Sequence, residues 1–238
     1  MLFGEKMILI IFALIFAVFE WIGEYKANKK LIFLTKPTVM VLLIVWVWTY
    51  SDFINLTSVS ATFPLVWFLV GLIFCLAGDV FLMLPPERFF MPGLVVFLVG
   101  HVFYIFGFGK IVLPAGTYAP AAVLAGLVLV VAITIYQKLI AGMKITGTAR
   151  MKIPVTIYSI IITLMLISAF NTNFRGEWHY SSAWLVSFGA LAFYFSDILN
   201  AWVRFRAPIP NGRVFIMITY HLGQIALAAG AVLHFRAM

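Results

Sequence analysis

Hydrophobic residues fall in long runs along the chain, separated by short breaks that hold most of the charged residues and the Pro/Gly punctuation. The runs cover residues 7–23, 31–50, 63–84, 90–112, 119–140, 152–170, 183–203 and 213–235. Each is close to the ~20 residues that a helix needs to cross the hydrocarbon core of a bilayer. Met7–Phe19, Thr38–Trp48 and Ala121–Ile135 are apolar on every face, whereas a barrel strand would alternate apolar and polar positions. The pattern predicts eight transmembrane helices. Pro85-Pro86 ends the third run, Pro92-Gly93 opens the fourth, Pro114 and Gly116 end it, and Pro208 through Gly212 joins the last two. Such short, turn-rich connections predict sequential helices packed as antiparallel neighbours.

Composition agrees and narrows the architecture. Of 238 residues, 64% are hydrophobic and 10% charged, with mean hydropathy +1.11, where a soluble domain carries roughly 45–50% and 25%. A water-soluble globule is excluded, and eight spans leave no length for an extramembrane domain. The expectation is an all-α polytopic membrane protein, residues 1–238 forming a single bundle.

Charge then supplies an orientation. The balance is 16 Lys+Arg against 8 Asp+Glu, or +8. With the N-terminus outside, Lys26, Lys29, Lys30, Arg88, Lys138, Lys144, Arg150, Lys152, Arg204, Arg206 and Arg213 face inward, against Lys6, Lys110, Arg175 and Arg236 outside. That bias follows the positive-inside rule and puts both termini on the non-cytoplasmic side, most simply of a bacterial inner membrane. It also argues against nucleic acid as a partner, since the basic residues are spread over the loops of one face. The first run follows Lys6 but lacks a small-residue cleavage motif, so it reads as a retained helix. Cys75, the single cysteine, allows no intrachain disulfide and no cysteine metal site.

A faint symmetry accompanies the eight runs. Gly71 to Asp79 and Gly189 to Asp197 share a Gly-x7-Asp spacing, and Lys36-Pro37 is echoed by Lys152-x-Pro154. Four helices separate the partners each time, as in a parallel 4+4 repeat.

Ionisable groups within the spans are expensive, roughly 2.5–3.5 kcal/mol near the bilayer centre, and therefore point to function. At 1.5 Å per residue, Asp79, Asp197 and Lys36 lie roughly 8–9 Å below the cytoplasmic surface, and Tyr220 reaches nearly that level. His101 and Tyr104 are i and i+3, Tyr220 and Gln224 are i and i+4, and Tyr194, Asp197, Asn200 and Arg204 form a stripe. Plainer roles stand beside these. Lys36 can snorkel to the headgroups, His101 can be a satisfied core residue, and Gln224 and Asn200 can bond between helices. Asp79 and Asp197 can be structural ion partners of Lys36, and Glu20 and Glu24, near a helix end, are expected to be wet. Two carboxyl groups at one depth can otherwise divide the work of an acid and a charge stabiliser, as glycosidases do. Arg204, Arg206 and Arg213 would meet a phosphate headgroup at the cytoplasmic mouth.

Gly71-Leu-Ile-Phe-Cys-Leu-Ala-Gly-Asp79-Val-Phe-Leu, Pro92-Gly93 to Gly100-His101-Val-Phe-Tyr104, Gly189-Ala-Leu-Ala-Phe-Tyr-Phe-Ser-Asp197 and Ile218-Thr-Tyr220-His-Leu-Gly-Gln224, with Lys36-Pro37, occur in this order. Together they resemble the YhhN-like lysoplasmalogenase family from about residue 31 onward. The resemblance implies an eight-helix hydrolase that cleaves the vinyl ether of a lysoplasmalogen to a fatty aldehyde and a glycerophospho-headgroup. The substrate it implies is a lysophospholipid held among membrane lipids. Such a bond is broken by protonating carbon, which needs a positioned, poorly solvated acid. Asp79 is assigned that step and ionised Asp197 the cation, with the reverse order open. His101, Tyr104, Tyr220 and Gln224 would orient the pair, and Lys36 would fix the carboxylate or meet phosphate. No metal or other cofactor is expected, because no ligand spacing such as HExxH or CxxC occurs. Two other classes remain: a small lipid transporter or flippase, and a sensor with Lys36 as a Schiff-base lysine.

Overall fold

A computed structural model describes residues 3–51, 63–109 and 113–236. Lys110 and the side chain of Lys6, both counted above as outward charges, lie outside the described residues. The helices are α1 (Phe3–Tyr25), α2 (Lys29–Trp48), α3 (Phe63–Met83), α4 (Pro86–Gly107), α5 (Tyr118–Ile145), α6 (Lys152–Asn171), α7 (Tyr180–Phe205) and α8 (Gly212–Arg236). Short 3-10 turns at Ala149–Met151 and Thr172–Phe174 flank α6. All eight are long and apolar enough to cross a membrane. This is an all-α, multi-pass integral membrane protein.

Local chemistry sets the ends. The Asn28 side chain accepts the Leu31 N–H at 3.2 Å and caps α2. Pro86 opens α4, where a residue without an N–H forfeits nothing. Pro92, expected as the opening residue, instead lies inside α4. There it removes one backbone bond near the start of the helix, a loss that the packed neighbours tolerate. α5 runs five residues beyond the predicted span, and its chain turns away at Gly147 in the left-handed region, φ +70°. On the opposite face, Arg175 donates from Nη1 to the Phe108 carbonyl and closes the end of α4.

The closest pairs are α3 with α4 and α7 with α8. A Cβ on Gly71 would lie 2.5 Å from Tyr104 Cε1, and one on Gly189 would lie 2.6 Å from the Leu227 backbone nitrogen. The two glycines of the Gly-x7-Asp spacing thus each let an aspartate-bearing helix press on the helix that follows it. One sequential pair departs from expectation. α4 packs on α6, while α5 lies outside against α6 and α7. The ten-residue connection 108–117 is long enough to permit this. The centre of the bundle belongs to α8, 67% buried, whereas α5 is 11% buried.

Candidate active site

A cavity with about 980 Å³ of empty space, part of it open, is enclosed by α2 to α8. Its wall is mostly apolar, with Leu94, Phe97, Ile135, Leu139, Ile162 and Met217. Lys36, Asp79, Tyr158, Asp197, Arg213 and Tyr220 also line it. The two aspartates of the repeated spacing therefore share one cavity, but each has its own set of partners.

Asp79 is the enclosed one. Lys36 Nζ lies 3.1 Å from its Oδ1, both side chains being 1% exposed. Tyr220 donates its hydroxyl to Oδ2 at 2.6 Å. Lys36 stands in the second turn of α2, one residue before Pro37, and it points into the bundle and not toward the headgroups. Burial works against a charge on this carboxyl, and the cation in contact and the second donor work for it.

Asp197 is more accessible, at 19%. Tyr158 of α6 donates to its Oδ2 at 2.5 Å, and His101 Nε2 lies 2.9 Å from the Tyr158 hydroxyl and 3.4 Å from the same carboxylate oxygen. His101 itself is fully buried behind Tyr158. The rings of Phe97 and Phe193 pack edge-on against Tyr220, and Phe193 packs against His101. This aromatic wedge joins the two clusters.

The remaining expected residues divide. Tyr104 donates to Gln224 Oε1 at 2.6 Å, and the pair is fully buried beside Cys75, bonded to each other and not to either aspartate. Arg213 is on the cavity wall, but its Nη2 donates to Glu24 at 2.7 Å. Arg204 sits 3.6 Å from the centre of the Phe90 ring, one side chain behind the wall. Asn200 and Tyr194 line the cavity, and the Tyr194 hydroxyl is 3.3 Å from that of Thr163. Glu20, expected to be wet, is completely buried, and the Glu24 side chain is only 7% exposed. Tyr158 was not singled out from the sequence, although it touches Asp197. Among the described residues, no group of three His, Cys, Asp or Glu side chains has the arrangement of a metal site.

The profile of the YhhN family matches residues 31–231, from the first turn of α2 to the last turns of α8. The chain belongs to the YhhN family. Every residue of the two aspartate clusters lies inside the YhhN segment, and Glu20 and Glu24 of α1 precede it. Among named relatives, lysoplasmalogenase TMEM86A of Homo sapiens is 32% identical over 165 residues, 68% of this chain and 64% of that protein. Lysoplasmalogenase TMEM86B of Rattus norvegicus is 28% identical over 166 residues, 70% of this chain and 62% of that protein. Human TMEM86B, also named a lysoplasmalogenase, is 30% identical over 165 residues, 69% and 63% of the two chains. The match thus spans less than two thirds of the relatives' own length. No solved structure matches the chain.

Proposed function

We propose that this YhhN-family protein is a lysoplasmalogenase, a hydrolase that cleaves the vinyl ether of a lysophospholipid within the membrane. The observation that carries the reading is one apolar cavity bordered by two carboxyl groups in unlike surroundings. The names of the relatives supply the substrate class.

The surroundings favour Asp197 as the acid and Asp79 as the charge stabiliser. Lys36 and Tyr220 hold Asp79 as a carboxylate. Asp197, open to the cavity, carries the proton on Oδ1, while the Tyr158 hydroxyl donates to its Oδ2 and His101 stands behind Tyr158. When Asp197 gives its proton to the β-carbon of the vinyl ether, the C=C bond becomes C–H and an oxocarbenium ion forms. The Tyr158 hydroxyl, already donated to Oδ2, steadies the new Asp197 carboxylate. Asp79 lowers the energy of the cation through the apolar cavity, where charge interactions are strong. Water adds to the oxocarbenium carbon and returns a proton to Asp197. The resulting hemiacetal breaks its C–O bond, with its hydroxyl proton passing to the departing glycerol oxygen, to give aldehyde and alcohol. The apolar wall receives the hydrocarbon chain, and Arg213 at the mouth receives the phosphate in exchange for Glu24. The basic loops orient this mouth to the cytoplasm, with both termini on the other side.

The test is aldehyde release by purified protein in detergent from a lysoplasmalogen, its saturated alkyl ether analogue and an ester lysolipid. Cleavage of the vinyl ether alone is expected, since only its carbon can accept the proton. Ester cleavage, or no aldehyde at all, overturns the reading. In the same assay Arg213→Ala raises KM more than it lowers kcat, and Glu24→Gln, which frees the arginine, lowers KM; an unchanged KM in both removes the headgroup role.

A further inference from the structure

The polar side chains on the cavity wall are almost all bonded to protein. Lys36 and Tyr220 meet Asp79, and Tyr158 meets Asp197. Arg213 donates to Glu24, and the Tyr194 hydroxyl stands by that of Thr163. Ser196 donates to the Ile216 carbonyl at 3.0 Å, and the hydroxyls of Tyr136 and Thr156 share a hydrogen bond of 2.6 Å. Among the described residues, two polar side chains of the wall have no such partner, Ser159 of α6 and Asn200 of α7. An amide that faces a cavity with its donors and its acceptor unused is available to a ligand.

Position along the helices separates the two. α7 ends at Phe205 and α8 begins at Gly212, so Arg213, in the first turn of α8, marks the mouth. Asn200 follows Asp197 by three residues on the same face of α7, roughly 4.5 Å nearer that mouth. Ser159 follows Tyr158 in a helix that runs the other way, so it lies roughly 1.5 Å farther in, toward the apolar end. A lysoplasmalogen bound with its phosphate at Arg213 has a matching order: the carbon that takes the proton, then the middle glycerol carbon with its free hydroxyl, then the phosphate. Side chains three residues apart on a helix start about 5–6 Å apart, which is the reach of the short link between that carbon and that hydroxyl.

We propose that Asn200 selects the lyso form of the substrate, its amide binding the free hydroxyl on the middle carbon of glycerol. A hydroxyl both donates and accepts, as the amide does. An acyl ester at that carbon has only acceptors and leaves Asn200 Oδ1 without a donor, so a two-chain lipid is disfavoured. The substrate class in this assignment rests on the hydrolase reading above.

Binding at equilibrium tests it without turnover. The probes are a saturated alkyl ether lysophosphoethanolamine, which has the hydroxyl but no vinyl ether, and its deoxy analogue without the hydroxyl. Titration calorimetry with the full-length protein in detergent gives both Kd values. Wild type is expected to bind the hydroxyl probe about threefold to tenfold more tightly, and Asn200→Ala and Asn200→Leu to bind the two probes alike. A packing role alone would weaken both probes together and keep the wild-type ratio. That ratio kept in whichever variant folds overturns the proposal, as does a wild type that binds the two probes equally or binds neither. The aldehyde assay keeps the two readings apart. No aldehyde from any lipid, with the Kd ratio as expected, overturns the hydrolase reading and leaves Asn200 in a lysolipid site. Aldehyde release at the same kcat/KM with and without the hydroxyl overturns the role of Asn200 and leaves the hydrolase reading standing.

Discussion

At the scale of single residues, Asp79 and Asp197 are chemically identical and differ only in what touches them. An ammonium lies 3.1 Å from one, and a tyrosine with a histidine behind it meets the other; in the proposed reaction the first stays charged and the second takes and gives a proton. Asp79→Asn and Asp197→Asn should each lower aldehyde release by at least the ~10²-fold typical of general acid catalysis, with an unchanged elution volume in detergent; full turnover in either removes the dyad. Tyr158→Phe deletes one hydrogen bond to a charged group, worth ~1.5–3 kcal/mol. Its kcat should fall by about tenfold to a hundredfold with little change in KM. Lys36→Met leaves a buried carboxylate unpaired and should destabilise the fold by about 3–5 kcal/mol. The double variant Lys36→Met/Asp79→Asn should recover most of that loss, and unfolding midpoints that simply add would show the two side chains uncoupled. Asp79, Asp197 and Lys36 were legible as candidates because charge is rare in these spans. Tyr158 was not, because it is one of several uncharged hydroxyl side chains in α6, with Thr156, Ser159, Thr163 and Ser168, and nothing in the sequence sets it apart from them. Glu20 did carry a signal: Ala13, Ala17, Glu20 and Glu24 stand at i, i+4, i+7 and i+11, and the small residues mark the side of α1 that a neighbour covers.

At the scale of helices, apolar length announces a span but does not say which spans touch. In lipid the outer face of a helix is as hydrophobic as its inner face, so the periodicity that orients a soluble helix is weak. The outward position of α5 and the direct packing of α4 on α6 were for that reason invisible in the sequence. Small residues are the better guide to contact. Gly189→Ala should destabilise the protein by about 1–3 kcal/mol, because the added methyl meets the Leu227 backbone at 2.6 Å. Gly126→Ala on α5 meets nothing within 4 Å and should be neutral or stabilising by up to about 1 kcal/mol through helix propensity. Thermal unfolding of both variants in one detergent makes the comparison, and equal midpoints would contradict the packing of α7 on α8. The helices that feed each cluster also correspond. Asp79 of α3 meets Lys36 of α2 and Tyr220 of α8, and Asp197 of α7 meets Tyr158 of α6 and His101 of α4. Each aspartate is thus met from the helix before it and from the fourth helix of the other set of four.

At the scale of the molecule, a bundle with polar groups between two such halves is also the shape of a small transporter. Hydrolysis is downhill and needs no compartments, so turnover in detergent should match turnover in vesicles within a few-fold when the cytoplasmic face is accessible. Lysoplasmalogen moved between leaflets without aldehyde would favour the transporter instead. Orientation is tested in cells: a reporter fused to the C-terminus should lie on the non-cytoplasmic side, and a reporter on the cytoplasmic side would reverse the proposed topology.

Eight membrane-crossing helices, their order and the scarcity of internal charge follow from the sequence alone, because hydrocarbon admits little but self-bonded apolar helices. Their pairing does not, since lipid and protein interior look alike to an aliphatic side chain. Only the folded bundle brings residues 36, 79 and 220 into contact and sets 101 and 158 beside 197. The unlike roles proposed for two identical side chains therefore rest on tertiary neighbours: the energy of a charge in a low-dielectric interior depends on the few groups within reach of it, however far away they stand along the chain.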